Sequence, residues 1–210
     1  MSSVLDEICH VPCHWVGEHL QYCKPIKNDV SDENSLWSWK PENSEWLYLL
    51  KIHGYTLVYV PLKDELFFVN PQYNLRSNCP NLSVFLCQCV KDPNSTARIL
   101  VLDLLCENNQ SVVGMSALQR YSKLRLFDDY FIKPNVSIQW CGNKEVLNEK
   151  FFKTLPHQVD SLIALCSNPG FVEASRFNSL LLISFSSINS FISLFNLSVV
   201  LFVSAINCIN

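Results

Sequence analysis

The chain has 210 residues, 49% hydrophobic, 12% aromatic and 17% charged, with a formal net charge of -3. That length holds one core-bearing domain with an appendage and excludes a multidomain synthetase, while the apolar content excludes a disordered chain. The charge balance excludes coating of bulk nucleic acid by a basic face, so a nucleic-acid partner would need a local site. Gly17, Gly54, Gly114, Gly142 and Gly170 stand singly, so the phosphate-cradling GxGxxG and GxxxxGKS/T loops and the GxSxG elbow are absent, as is HExxH.

Met1 to Cys13 carries Asp6 and Glu7 and no apolar run, which reads as a cytosolic start without a secretory signal, with cytoplasmic or nuclear residence. Ten cysteines would then be mostly reduced, and Cys79, Cys87, Cys89, Cys106, Cys141 and Cys166, in or beside apolar segments, read as small core residues. Residues 1–35 form a Cys/His-rich segment and linker. Within it Cys9, Cys13, His19 and Cys23 offer four ligands of the type zinc prefers, the alternative being that they pack or sit in solvent. Lys27 to Glu45 is polar with a turn-forming run at Asn28 to Ser35, so a linker or long loop is expected there, with Trp37 and Trp39 in it and Trp46 just beyond.

Strands are predicted at Trp46–Leu50, Tyr55–Val60 and Leu66–Val69, with breaks short enough for an antiparallel meander. Leu82–Val90 and Arg98–Cys106 continue the pattern. Ser116 to Phe127 is the best amphipathic helix, with Ala117, Leu118, Tyr121, Leu124 and Leu126 on or near one face and Arg120, Lys123 and Arg125 as a solvated flank. A second helix is expected over Asn143–Phe152, then a strand at Val159–Cys166. Runs of strands with few helices argue for an α+β domain over residues 36–176. Residues 177–210 hold no charged residue, Pro or Gly. That uncharged apolar tail suits either a C-terminal membrane anchor flanked by Arg176 or a replaced, truncated domain end.

The stretch WLYLLKIHGYTLVYV, from Trp46 to Val60, resembles the first motif of the covalent nucleotidyltransferases, the capping guanylyltransferases and nucleic-acid ligases, where a strand ends in K-x-D-G. Lys51 takes the lysine position and Gly54 the glycine, with His53 replacing the acidic residue and Thr56 the usual arginine. Arg98 to Leu105 is similar to the family's middle strand, Leu118 to Leu124 to the helix after it, and Val159 to Ile163 to its later acidic strand, with Ser161 in place of glycine. The acidic strand expected near Leu86 to Cys89 lacks its carboxylate, and the charge-free tail stands where a K-x-K motif belongs.

The resemblance covers about residues 36–170 and rests on the shared order of these pieces. It implies an antiparallel-sheet, ATP-grasp-like ligase/capping-enzyme fold with few helices. In that family the lysine attacks the α-phosphate of a nucleotide, which requires a neutral amine, while magnesium and acidic groups assist. The losses make the snurportin-like cap-binding branch the nearer likeness, on VLDLLC at Val101–Cys106 and PHQVDSLI at Pro156–Ile163. It implies binding of a nucleotide or RNA 5′ cap without processing it, at Lys51, His53, Asp103, Trp46, Trp140 and Asp160, with Trp46 and Trp140 as stacking candidates. Residues 1–30 are Cys/His-rich rather than basic, so a nuclear import role does not carry over with the fold. Asp103, between apolar neighbours, is expected to face a cleft, a cation or a donor, because a buried unpaired carboxylate is costly. The alternatives are an active nucleotidyltransferase with Lys51 as covalent nucleophile and magnesium as cofactor, or a zinc-stabilised interaction protein with a protein partner. The membrane is a partner only if the tail is an anchor.

Overall fold

A computed structural model describes residues 4–13, 25–26, 35–91, 96–112, 114–165, 170–175 and 180–184. The chain is an α+β protein built mostly of antiparallel sheet, with few helices. In chain order the elements are α1 (Val4–Ile8), β1 (Cys9–Cys13), β2 (Pro25–Ile26), β3 (Leu36–Pro41), β4 (Glu45–Ile52), β5 (Tyr55–Val60), β6 (Glu65–Val69), β7 (Ser83–Lys91), β8 (Ala97–Glu107), β9 (Gln110–Ser111), α2 (Ala117–Arg125), β10 (Val136–Ile138), α3 (Glu149–Phe152), β11 (Val159–Leu165), β12 (Gly170–Ser175) and β13 (Leu180–Ser184). The larger sheet runs β1-β6-β5-β4-β7-β8-β10, with β9 paired to β8, and the smaller runs β2-β13-β12-β11-β3. Among the described residues only the β8–β10 pair is parallel.

Alternation along the strands divides the core in two, as the period of two in an extended chain requires. Leu50 and Ile52 of β4 and Leu57 and Tyr59 of β5 join Leu36 of β3 and Ile163 and Leu165 of β11 in one cluster, between the two sheets. Their neighbours Leu47, Leu49, Val58 and Val60 belong to a second cluster on the outer face, closed by Leu5 and Ile8 of α1, by Tyr73, Leu75 and Cys79, and by Leu124, Phe127 and Phe131. β4 turns into β5 through two residues, His53 and Gly54, at φ 45° and 86°, the left-handed pair that matches the twist of a two-residue hairpin. Ser116 caps α2: its hydroxyl accepts from the Gln119 N–H while the Gln119 side chain takes the Ser116 N–H.

Several expectations are corrected. The polar stretch before Glu45 is not all linker, because Leu36–Pro41 pairs with β11 and buries Trp39. The N-terminal segment does not stand apart, since β1 pairs with β6 and α1 packs into the outer cluster. Asn143–Phe152 is not one helix; a 3-10 turn at Lys144–Val146 precedes the four-residue α3. Arg120 is no solvated flank: it is 1% exposed, whereas Leu118 and Leu126, expected on the buried face, are 59% and 74% exposed. Within the tail Leu180–Ser184 is a strand on β12, and residues 185–210 lie outside the described residues. No helix among the described residues is long and apolar enough to cross a membrane.

Candidate functional site

Lys51 sits in phase with Leu47 and Leu49, so it points to the outer face, away from the smaller sheet. Its cross-strand partner is Thr56. The connection after β6 covers both: the Leu75 N–H donates to Thr56 Oγ1 at 3.0 Å, and Lys51 Nζ donates to the carbonyls of Gly54 at 2.8 Å and Leu75 at 3.5 Å. Lys51 is 2% exposed, and burial pushes its amine below the ordinary lysine value. The hairpin is tied to the same connection where the Gly54 N–H donates to Asn81 Oδ1 at 3.0 Å. His53, at the turn, is exposed.

Trp46 lies five residues before Lys51 on the same strand but packs against the inter-sheet cluster, so the two side chains are on opposite faces of β4. Trp140 is half-buried beside Phe151, with ring centroids 5.6 Å apart. Asp160 is half-exposed and pairs with Lys40 at 3.6 Å. Asp103 does not face a cleft: it is 1% exposed and takes the Arg120 fork, Nε at 3.1 and 3.0 Å and Nη2 at 2.9 Å, plus the Leu104 N–H at 2.9 Å. Burial pushes its carboxyl up, against the pull of the Arg120 guanidinium. Asp103 therefore locks α2 to β8, a donor-satisfied role that its place between apolar residues left open. Lys51, Asp103 and the two tryptophans do not converge on one cavity.

Gln88 occupies the strand where the resemblance expects a carboxylate. It is fully buried and its amide donates to the Trp39 carbonyl at 3.3 Å and to Gln139 Oε1 at 3.4 Å. Gln139 donates to Ser38 Oγ at 2.9 Å, and Ser38 donates to the Trp140 carbonyl at 2.8 Å. These neutral groups join β7 to β3 and answer one another, which is what a buried polar cluster needs, but they offer no charge to hold a divalent ion. Of the expected zinc ligands, Cys9 packs against the outer cluster and Cys13 against the inter-sheet cluster, while His19 and Cys23 lie outside the described residues. Among the described residues no group of three metal-ligating side chains assembles.

Among the described residues an open groove of about 690 Å³ lies between the β3–β4 turn and the stretch from α3 to β11, lined by Glu42, Lys91, Glu149, Phe152, Lys153 and His157 among others. Behind it stands an aromatic stack. Trp39 is 5% exposed, meets Phe151 edge-on at 5.3 Å, and donates its indole N–H to His157 Nε2 at 3.0 Å. Phe151 in turn meets Phe152 at 5.8 Å. Reading the sequence alone missed Phe151, Phe152 and His157. The available signal was the run from Phe151 to His157, with two adjacent phenylalanines, Pro156 and a terminal histidine, which marks an irregular connection able to line an opening. No protein-family model matches the chain, and no curated protein matches it.

Proposed function

We propose that the domain binds a nucleotide or an RNA 5′ cap without processing it, and that the base enters the groove walled by Phe152 and His157. The observation that carries the reading is the separation of parts: the amine that nucleotidyl transfer would need is buried on the outer face, bonded to two carbonyls, while the groove opens elsewhere. A ring lying on Phe152 would gain about 1–3 kcal/mol from stacking. Glu42 and Glu149 suit a base that carries positive charge, as a methylated cap purine does, since cations are drawn to aromatic faces and carboxylates alike. Lys91 and Lys153, on the same rim, suit the phosphates.

Thermal unfolding of the full chain with a methylated cap analogue, GTP and ATP tests this, because a ligand that binds only the folded state raises the melting temperature. The cap analogue should shift it most, and Phe152→Ala should abolish the shift. No shift with any of the three in a cooperatively melting protein overturns the reading. The second reading, covalent transfer from Lys51, draws on the lowered proton affinity of that amine, which favours a nucleophile. Incubation with labelled GTP or ATP and magnesium followed by denaturing electrophoresis separates the two, since only a covalent adduct keeps its label.

A further inference from the structure

We propose that His157 is an acid-sensitive latch on the wall of the groove, held shut by the buried indole of Trp39. The regulatory consequence rests on the groove being the binding site; the latch itself does not. An indole N–H buried in a core needs an acceptor, and for Trp39 it is His157 Nε2 at 3.0 Å. That nitrogen accepts only while it carries a lone pair, so the bond selects the neutral ring with its proton on Nδ1. A proton on Nε2 sets two N–H groups head to head and takes the acceptor from a buried donor.

Trp39 cannot retreat. Its backbone is paired with Leu162 in the middle of the β3–β11 ladder, its ring is held edge-on by Phe151, and its carbonyl is fixed by Gln88 and Gln139. His157 is half-buried on the connection between α3 and β11, so it is the partner that swings out. Its neighbours Pro156, Gln158 and Val159 line the same groove, and movement there reshapes the wall. The charged groups that line the same groove are Glu42 from the β3–β4 turn, Lys91 from β7, Glu149 from α3 and Lys153 just after it, and the Lys40–Asp160 pair joins β3 to β11. Lys153 pairs with Glu149 at 2.8 Å and Lys91 with Glu7.

The test begins without ligand. The indole N–H resonance of Trp39, assigned by its loss in Trp39→Phe, is followed by NMR in the full chain from about pH 8 to about pH 5. It should move together with the His157 ring signals. In His157→Gln, whose side-chain oxygen takes the same bond but does not titrate, it should stay constant. A Trp39 resonance in the unaltered chain that ignores the His157 titration overturns the latch, whether or not the variant folds. Binding of a methylated cap analogue is then measured over the same range. It should weaken about tenfold on acidification in the unaltered chain, the size of one lost buried hydrogen bond, whereas in His157→Gln, whatever its affinity at about pH 8, that acid-induced loss should be absent. Equal pH dependence in both chains, the signature of a proton taken up elsewhere, overturns control of the groove by His157. A Trp39 resonance that follows His157 in a protein that binds no analogue at any pH supports the latch and refutes the cap-binding reading alone.

Discussion

Asp103→Ala should be the most damaging single substitution in the domain. Both members of the Asp103–Arg120 pair are 1% exposed, and Arg120 heads the fully buried side chains by size. Removing the carboxylate strips the guanidinium of three contacts between 2.9 and 3.1 Å and leaves its charge uncompensated in the core, while its Nη1 keeps the Met115 carbonyl at 2.6 Å. Breaking one side of a buried pair costs about 3–5 kcal/mol, a large share of the roughly 5–15 kcal/mol that holds a domain folded. With a urea slope of about 2 kcal/mol/M, the midpoint followed by circular dichroism should fall by about 2 M. Replacing both partners, Asp103→Leu with Arg120→Met, should recover much of the loss, because no unpaired charge is then left inside. A loss below about 1 kcal/mol for Asp103→Ala, or a double variant no better than the single one, would refute the assignment of this pair as the lock between α2 and β8.

Three further outcomes are expected. Burial pushes the thiols of Cys79 and Cys89 up to about 12 and those of Cys9 and Cys106 up to about 11, from an ordinary value of 9.0. The folded chain therefore keeps these protons where the unfolded chain sheds them; that stabilisation is complete below about pH 9 and drains away as pH climbs through 11 to 12, so melting at pH 10 should be clearly lower than at pH 8. A level or rising profile would count against the buried thiols. Lys51 acts in the opposite sense, since its lowered amine makes the fold gain stability as pH rises toward 10.5. Lys51→Met should steepen the alkaline fall, and a shallower one would show that the amine is not buried in solution. Gly142→Ala would place a methyl 2.4 and 2.5 Å from the Trp140 ring, so the indole must shift and disturb the Trp37–Gly142 bridge. A loss of about 1–3 kcal/mol in urea unfolding is expected, and an unchanged midpoint would place the Trp140 ring elsewhere.

Much of the fold was legible before any coordinates. Tyr55–Val60 is a strand with the bounds that alternation predicts, and the strands at Glu45–Ile52, Glu65–Val69, Ser83–Lys91 and Ala97–Glu107 differ from expectation by a residue or two at their ends. The helix expected over Ser116 to Phe127 is there as α2, Ala117–Arg125. The strand at Leu36–Pro41 was hidden because its tryptophans alternate with Ser38 and Lys40 inside a polar stretch, and only pairing with β11, some 120 residues away, makes it a strand. The candidate site was less legible. Asp103 was expected to face a cleft, a cation or a donor, but that it meets the Arg120 guanidinium, seventeen residues on, depends on which side of α2 meets β8.

What the sequence determined by itself was local and periodic: where strands alternate, where Gly54 allows the tight hairpin after Lys51, and which runs are apolar enough to be buried. The tertiary structure decided which face each residue serves. Lys51 and Leu50 are neighbours in the chain, yet one lies under Leu75 and Cys79 and the other between the sheets. His157 and Trp39 are 118 positions apart and meet through one hydrogen bond. The alternation of a strand says that adjacent side chains part company; which side becomes core, cover or groove is set by the layers that the rest of the chain lays against it.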